Sequence, residues 1–280
     1  MDVSAARNPL QGHKAVVQPV GRRVAAAVRF APLRGVEHRG IGIPFKGLVD
    51  LGDVGIVRQR QAATVALARA AGAEVFAYPD WQGFAVQRTR QLQHACGDYV
   101  FFLDADEVMS PAFAQELQTI VRSGSAAVWQ IRWRMVAFGH ELRFFRALSK
   151  VERLFRRDQI KGWTGVVHEE AVLRDSKVAR QVMRTPLLHH SRETVRASLD
   201  KMTQYAMLGA AKRAGSGQRG GVWRGLASGS AMFFRMYVVR LGFLCGGAGF
   251  LYCLFIALEA FFRYAALHYD RHSLSERIGR

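Results

Sequence analysis

The clearest pattern in the chain is an alternation of apolar runs and amphipathic segments between residues 74 and 121. Residues 74–78 and 99–103 have the length and apolar content of buried strands, whereas residues 85–95 and the segment after Ser110 and Pro111 have helical spacing. Serine followed by proline is typical of the start of a helix. Because helices and buried strands alternate, the pattern predicts an α/β fold with a mostly parallel sheet.

Beyond this region the pattern predicts strands at residues 127–135 and 152–155, and mainly helices after residue 194. Residues 1–57 keep no regular period for more than a few positions. These differences predict three parts. They are an atypical or partly disordered segment at 1–57, a catalytic α/β domain at 58–193 and a helical, membrane-associating region at 194–280.

The helical region contains an uncharged run of 18 residues, from 241 to 258. Its length is near the lower limit for crossing a bilayer. The run also contains four glycines and has aromatic residues and arginines on both sides, which suits a segment lying in the membrane interface. We favour the interfacial position, with a spanning helix as the alternative.

The formal net charge of +18 comes almost entirely from arginine, because only seven of the 40 basic residues are lysines. From residue 174 onward there are 17 basic and six acidic residues. Such an excess predicts a polyanionic partner. Because these basic residues lie among apolar runs and the sequence has no nucleic-acid-binding motif, the expected partner is an anionic membrane surface, with no nucleic acid involved.

The chain has three cysteines, at positions 96, 245 and 253, without metal-ligand spacing. An odd number of cysteines with no pairing pattern is typical of a reduced cytosolic protein. No continuous apolar stretch follows the first charged residues, so we expect no signal peptide. The catalytic face is therefore expected on the cytoplasmic side.

The strongest chemical signal is the acidic group Asp104, Asp106 and Glu107, directly after the predicted strand at 99–103. Ligands of open α/β sheets bind beyond the carboxyl ends of the strands, which is where these carboxylates fall. Carboxylates this close repel one another unless a cation lies between them, and Mg²⁺ or Mn²⁺ with a nucleotide diphosphate meets that need. The alternative is a solvated acidic turn, and the buried strand before it favours the metal site.

Other polar groups carry weaker signals. His168, next to two glutamates of which Glu169 is the first, suits a metal ligand and a general base but also an exposed turn. The arginines around Arg156 suit either a phosphate site or the edge of a strand. His189 and His190 have no partner at metal-ligand spacing, so we interpret them as structural.

Taken together, these residues resemble family 2 glycosyltransferases, above all the branch that builds the inner core of lipopolysaccharide. The resemblance begins with Trp81, Gly83, Phe84 and Gln87 and continues through residues 97–107. Residues 153–157, 167–169, 190–191, 201–206 and the glycines of 242–250 follow in the order of that branch. It covers about residues 64–268.

This resemblance implies a GT-A fold, which is a Rossmann-type α/β arrangement, and an inverting transfer from a nucleotide sugar. UDP-glucose is the first donor to test. The implied acceptor is a lipid-linked glycan of the lipopolysaccharide core or a related envelope glycan, at the inner face of the cytoplasmic membrane.

The resemblance also assigns roles to residues. Asp104 and Asp106 would bind the metal and the diphosphate of the donor. Glu169 would be the general base, and His168 would orient the donor or the metal. The other donor-binding residues that it implies are Trp81, Gln87 and Arg156.

The N-terminal segment departs from the resemblance. The family has an Asp-Ser-Gly-Ser-Thr-Asp stretch that holds the nucleoside, and this chain has Arg58, Gln59, Arg60 and Gln61 in its place. The codons CGA-CAG-CGG, shifted by one base, would encode Asp-Ser-Gly, so a frameshift over residues 1–63 would explain the difference. Two alternative functions follow, a polyprenyl-phosphate glycosyltransferase and a degenerate, non-catalytic membrane-surface protein.

Overall fold

The computed structural model describes residues 24–30, 51–57, 66, 68–70, 73–78, 80, 82–165 and 169–278. The strands in this part of the chain are β1 (Val24–Phe30), β2 (Leu51–Val57), β3 (Glu74–Ala77), β4 (Tyr99–Asp104), β5 (Glu107–Val108), β6 (Val128–Ala137), β7 (His140–Glu141), β8 (Lys150–Arg156), β9 (Ile160–Thr164), β10 (Glu170–Leu173), β11 (Arg180–Val182) and β12 (Leu187–Arg192). The α-helices are α1 (Phe84–His94), α2 (Pro111–Ser123), α3 (Val195–Gly215), α4 (Val222–Phe234), α5 (Gly246–Tyr269) and α6 (Arg271–Ile278). A π-helical segment (Arg235–Val239) and a 3₁₀ turn (Gly242–Cys245) connect α4 to α5.

The main sheet has the strand order β3-β2-β1-β4-β8-β6-β12-β5, and β7 and β11 also pair with β6. The first four strands are parallel to one another, and β6 is parallel to β11 and β12. Strand β8 runs antiparallel to both of its neighbours, β4 and β6. The predicted α/β class is confirmed, and the sheet becomes mixed where β8 enters it.

Two strands of this sheet come from the segment 1–57, which the sequence analysis described as atypical or partly disordered. β1 pairs with β2 along its whole length and with β4 on its other side. In the second pairing Arg29 is the backbone partner of Asp104. The sheet therefore begins before residue 58, where the sequence placed the start of the catalytic domain. Residues 58–61, which the sequence analysis singled out, lie outside the described part of the chain.

Helix α2 begins where the sequence predicts it and packs on the sheet by its predicted face. The Ser110 hydroxyl accepts a hydrogen bond from the backbone N–H of Phe113 at 3.2 Å, which satisfies one of the unpaired N–H groups at the helix start. Phe113 and Leu117 are fully buried, and the Phe113 ring packs edge-on against Phe101 of β4. This packing fixes β4, which leads directly into the acidic group.

The C-terminal helices pack against one another and against the catalytic domain. Within the described residues, Gly242–Tyr269 is the one segment long and apolar enough to cross a bilayer. Its Glu259 pairs with Arg263 of the same helix at 2.9 Å and with Arg192 of β12 at 3.6 Å. The pair with Arg192 attaches α5 to the sheet.

Helices α4 and α5 approach closely because two glycines of α4 face the backbone of α5. A Cβ atom on Gly225 would lie 2.9 Å from the carbonyl oxygen of Phe261, and one on Gly229 would lie 3.1 Å from that of Ala257. Small residues four positions apart allow this kind of close backbone approach between helices.

We expect Gly225→Leu to lower the free energy of unfolding by about 2 kcal/mol or more, because a larger side chain forces the helices apart. Ala227→Leu is the matched control, since Ala227 is exposed on the same helix. Urea unfolding followed by circular dichroism would compare the two variants. Equal stability of both would contradict the packing described above.

Candidate active site

The acidic group lies at the carboxyl end of β4, where the sequence predicts it. Asp104 is the last residue of that strand, and both of its carboxylate oxygens accept hydrogen bonds from arginines. The Arg88 Nη2 atom lies 3.1 and 3.2 Å from the two oxygens, and the Arg153 Nη2 atom lies 2.6 Å from Oδ2. The carboxylate of Asp104 is therefore held by two cations of the protein itself.

Glu107 completes the same network from the other side of the turn. Its Oε1 atom accepts hydrogen bonds from Arg153 Nη2 and from the Trp133 indole N–H, both at 2.7 Å. Its Oε2 atom accepts the backbone N–H of Asp104 at 2.8 Å. Burial by itself lowers the pKa of Arg153, but the charges of the two carboxylates outweigh it and raise that pKa above its ordinary value. The guanidinium is thus permanently charged.

Asp106 differs from its two acidic neighbours because it faces a histidine. Its Oδ2 atom lies 3.1 Å from Nε2 of His189, and 31% of the Asp106 side chain is exposed. Burial raises the pKa of Asp106, but the hydrogen bond and charge of His189 outweigh it, so the pKa lies below its ordinary value. Strand β12 brings His189 there by pairing with β5, with His189 opposite Glu107.

The donor atoms of Asp106 and His189 suit a divalent cation better than those of Asp104. Both carboxylate oxygens of Asp104 already accept hydrogen bonds from guanidinium groups, whereas Asp106 offers its carboxylate next to an imidazole nitrogen. Among the described residues, no group of three or more histidine, cysteine or acidic side chains is arranged to hold a metal. Two protein ligands are enough for Mg²⁺ when a diphosphate supplies further oxygens.

A cavity of about 250 Å³ opens beside this pair of residues. The β-sheet contributes Trp133, His189 and Ser191 to its wall. The C-terminal helical region supplies polar groups on the other side, among them Lys201, Tyr205, Arg240, Tyr252 and Glu259. The cavity therefore lies between the catalytic domain and the helical region.

The structure places the other predicted site residues in different surroundings. Gln87 lies on α1, fully buried, and neither atom of its side-chain amide has a hydrogen-bond partner among the described residues. Glu169 is half-buried directly before β10, and the described residues show no hydrogen bond or ion pair between it and Asp104 or Asp106. Trp81 and His168 lie outside the described residues.

Arg156 is not brought to the acidic group. It pairs with Tyr99, the first residue of β4, so it lies at the opposite end of that strand from Asp104. Its guanidinium pairs instead with Asp158 at 2.6 Å, and its side chain is 39% exposed. The arginine of the predicted group that reaches the carboxylates is Arg153.

Two residues of the site escaped the sequence analysis. His189 appeared structural because its partner Asp106 is 83 residues away in the chain. Lys201, on α3, was noted only as part of the resemblance. Its ammonium donates to the carbonyl oxygen of Ser191 at 3.0 Å, and the charge of Asp106 acts on it. The available signal was a run of polar residues, from His189 to Arg192, at the end of a strand.

Comparison with known proteins identifies the catalytic part of the chain. Residues 60–182 match the family described as Glycosyl transferase family 2. This match covers 123 of the 280 residues of the chain. The matched residues include Asp104, Glu107 and Arg153, and the resemblance noted in the sequence is confirmed.

One curated relative extends the similarity beyond that domain. The chain is 27% identical over 206 residues to the lipopolysaccharide core biosynthesis glycosyltransferase LpsC of Rhizobium meliloti (strain 1021). The similar region covers 72% of this chain and 75% of LpsC. It is therefore longer than the family 2 domain alone.

Solved structures are similar to about half of the chain. Staphylococcus aureus TarS is 13% identical with a TM-score of 0.38, over 48% of this chain and 28% of TarS. Glucosyl-3-phosphoglycerate synthase from Mycobacterium tuberculosis, solved with Mn²⁺, UDP and glucosyl-3-phosphoglycerate, is 17% identical with a TM-score of 0.33. That match covers 49% of this chain and 57% of the synthase. Both matches span less than two thirds of the other protein.

We expect Arg153→Met to lower the free energy of unfolding by about 3–5 kcal/mol, because it removes the cation that the buried Glu107 shares with Asp104. Arg156→Met is the matched control from the same strand, and loss of its exposed ion pair should cost about 0–1 kcal/mol. Urea titration of both variants at neutral pH would measure the difference. Similar losses in the two variants would show that the buried network does not stabilise the fold as described.

Proposed function

We propose that the protein is an inverting glycosyltransferase that moves a sugar from a nucleotide-sugar donor to a lipid-linked glycan of the lipopolysaccharide core or a related envelope glycan. UDP-glucose is the donor to test first. The observation that carries the proposal is the pairing of Asp106 with His189. This pair lies beyond the carboxyl end of β4, beside the cavity of about 250 Å³. The similarity to LpsC supports the class of acceptor.

In this proposal Asp106 and His189 bind Mg²⁺ or Mn²⁺ together with the donor diphosphate. When bound, the cation offsets the negative charge of the leaving diphosphate. Asp104 also faces the donor, and its orientation is fixed by Arg88 and Arg153. A carboxylate has about four lone-pair sites, so Asp104 can still accept a hydrogen bond from the donor.

Glu169 is the proposed general base. It would take the proton of the acceptor hydroxyl while that oxygen forms a bond to the anomeric carbon and the bond from this carbon to the diphosphate breaks. His168, next to it in the chain, would orient the donor. Trp81 and Gln87 would contact the donor too, and the unpartnered amide of Gln87 is a group that a ligand can satisfy. The position of Arg156 speaks against a donor-binding role for that residue.

We expect Asp106→Asn to abolish Mn²⁺-dependent binding of UDP-glucose, because one charge of a hard-cation site is lost. Asp158→Asn, at an exposed ion pair away from the site, should bind the donor like the unchanged protein. Glu169→Gln should also bind the donor but should fail to transfer the sugar. Titration calorimetry with and without Mn²⁺ measures the first two effects, and a radiolabelled transfer assay measures the third.

The outcomes of this experiment separate the candidate functions. Unchanged Mn²⁺-dependent affinity in Asp106→Asn would overturn the metal assignment. A folded protein without any affinity for UDP-sugars would favour the degenerate, non-catalytic alternative. A polyprenyl-phosphate acceptor would call for a pair of spanning helices, and the described residues contain one candidate.

The surface of the C-terminal region supports a position at the membrane. Four aromatic rings around the turn between α4 and α5 contact one another, and we call them the aromatic cluster. Phe243 and Phe250 are exposed members, and Leu244 beside them is exposed too. Exposed apolar side chains next to arginines suit an anionic lipid surface. The aromatic cluster consists of Phe233, Tyr237, Phe243 and Phe250.

We expect the protein to bind vesicles that contain anionic lipid, and high salt to release part of it. Basic residues near such a surface contribute about 1 kcal/mol each, and salt screens that attraction. Phe243→Ser with Leu244→Ser should weaken the salt-resistant part of the binding. Leu199→Ser with Leu208→Ser is the control, because both leucines are exposed on α3. A vesicle flotation assay would contradict the proposal if the unchanged protein stayed entirely in the soluble fraction at low salt.

A further inference from the structure

We propose that the cavity beside His189 binds an anionic group of the acceptor sugar, either a phosphate or a carboxylate, with Arg240 and Lys201 as its counter-charges. The inference rests on the proposed function, because it assigns this cavity to the acceptor. It adds a substrate class to that function, namely an acidic sugar unit.

The position of the cavity suits an acceptor. Its wall includes His189 but not Asp106, so the proposed metal site and the cavity meet at the histidine ring. An acceptor in the cavity would therefore lie next to the donor without displacing its diphosphate. The volume of about 250 Å³ accommodates a single sugar unit.

The charges in the wall leave an excess of positive charge. Glu259 is the one acidic residue of the wall, and it is already paired with Arg263 and Arg192. Neither of these arginines belongs to the wall. Lys201 and Arg240 therefore line the cavity as cations. The negative charge of Glu259 is paired with arginines that lie outside the wall.

Arg240 is the residue for which the fold itself provides no explanation. Its guanidinium makes no hydrogen bond or ion pair in the described part of the chain, and its Nε atom is buried. The backbone holds the residue in place, since its N–H donates to the carbonyl oxygen of Arg235 and its own carbonyl oxygen accepts from Arg146, both at 3.0 Å. Arg240 lines the cavity, so a ligand there that accepts a hydrogen bond from its guanidinium is favoured.

Lys201 is a second donor in the wall. Its ammonium donates one N–H to the carbonyl oxygen of Ser191 and has two others. Burial lowers the pKa of both Lys201 and Arg240, and the pKa of each remains below its ordinary value. An anion in the cavity would add a counter-charge for Arg240 and Lys201, and phosphate and carboxylate are the groups that arginine and lysine bind best.

The test is a comparison of sugars that differ in charge. Glucose 6-phosphate, glucuronate, glucose and inorganic phosphate would be titrated into the full-length protein without donor, followed by calorimetry. We expect the two acidic sugars to bind at least about tenfold more tightly than glucose, as one charge-assisted hydrogen bond would provide. Arg240→Gln should lose this preference, Arg240→Lys should keep part of it, and the exposed control Arg224→Gln should keep all of it.

Failure of this inference can be distinguished from failure of the proposed function. A preference for acidic sugars that persists in Arg240→Gln, or no preference at all, would overturn the inference. Inorganic phosphate binding as tightly as glucose 6-phosphate would also overturn it, because the site would then bind free phosphate rather than a sugar.

The melting temperature of Arg240→Gln should not fall, since its guanidinium stabilises no other group. Mn²⁺-dependent UDP-glucose binding should be the same in Arg240→Gln as in the unchanged protein. Failure of the unchanged protein to bind UDP-glucose would count against the glycosyltransferase proposal alone.

Discussion

A guanidinium buried between two carboxylates holds the functional edge of the sheet together. Arg153 reaches from β8 to Asp104 and Glu107, which lie on the two sides of a short turn, and its side chain is only 2% exposed. Removing three charges from water is costly unless each finds its partners, so the turn is restricted to one geometry. In that geometry the remaining acid, Asp106, faces outward to His189. The ion pairs of Asp104 and Glu107 thus determine the direction in which the Asp106 side chain points.

Much of this arrangement follows from short-range patterns, and the rest depends on strand direction. The buried strand before Asp104 and the serine cap of α2 were predictable, because each depends on neighbouring residues. Which of Arg153 and Arg156 reaches the acidic group was not predictable. β8 runs antiparallel to β4, so its earlier residues lie at the carboxyl end of β4 and its later ones at the amino end. The spacing of arginines in the sequence carries no information about the direction of the strand. The resemblance therefore assigned a donor-binding role to Arg156.

The C-terminal region was difficult to interpret for a related reason. The uncharged run ends at residue 258, one position before Glu259, and a pattern of hydropathy treats that glutamate as the end of an apolar segment. In the fold it lies within α5, where arginines from α5 and β12 neutralise it. The same helix therefore has an apolar surface and a polar side that forms part of the cavity wall. Periodicity could not distinguish these roles, because the partner arginine on β12 is remote in sequence.

Strand β12 contacts both the acidic group and the C-terminal helices. His189 and Arg192 are three residues apart on it, so about 10 Å of backbone separates the partner of Asp106 from the partner of Glu259. The pairing of β12 with β6 contains a bulge between His190 and Arg192, and Ser191, the residue in the bulge, lies in the wall of the cavity. Because a bulge changes the direction in which a side chain points, one irregular residue of a strand contributes to the shape of the cavity.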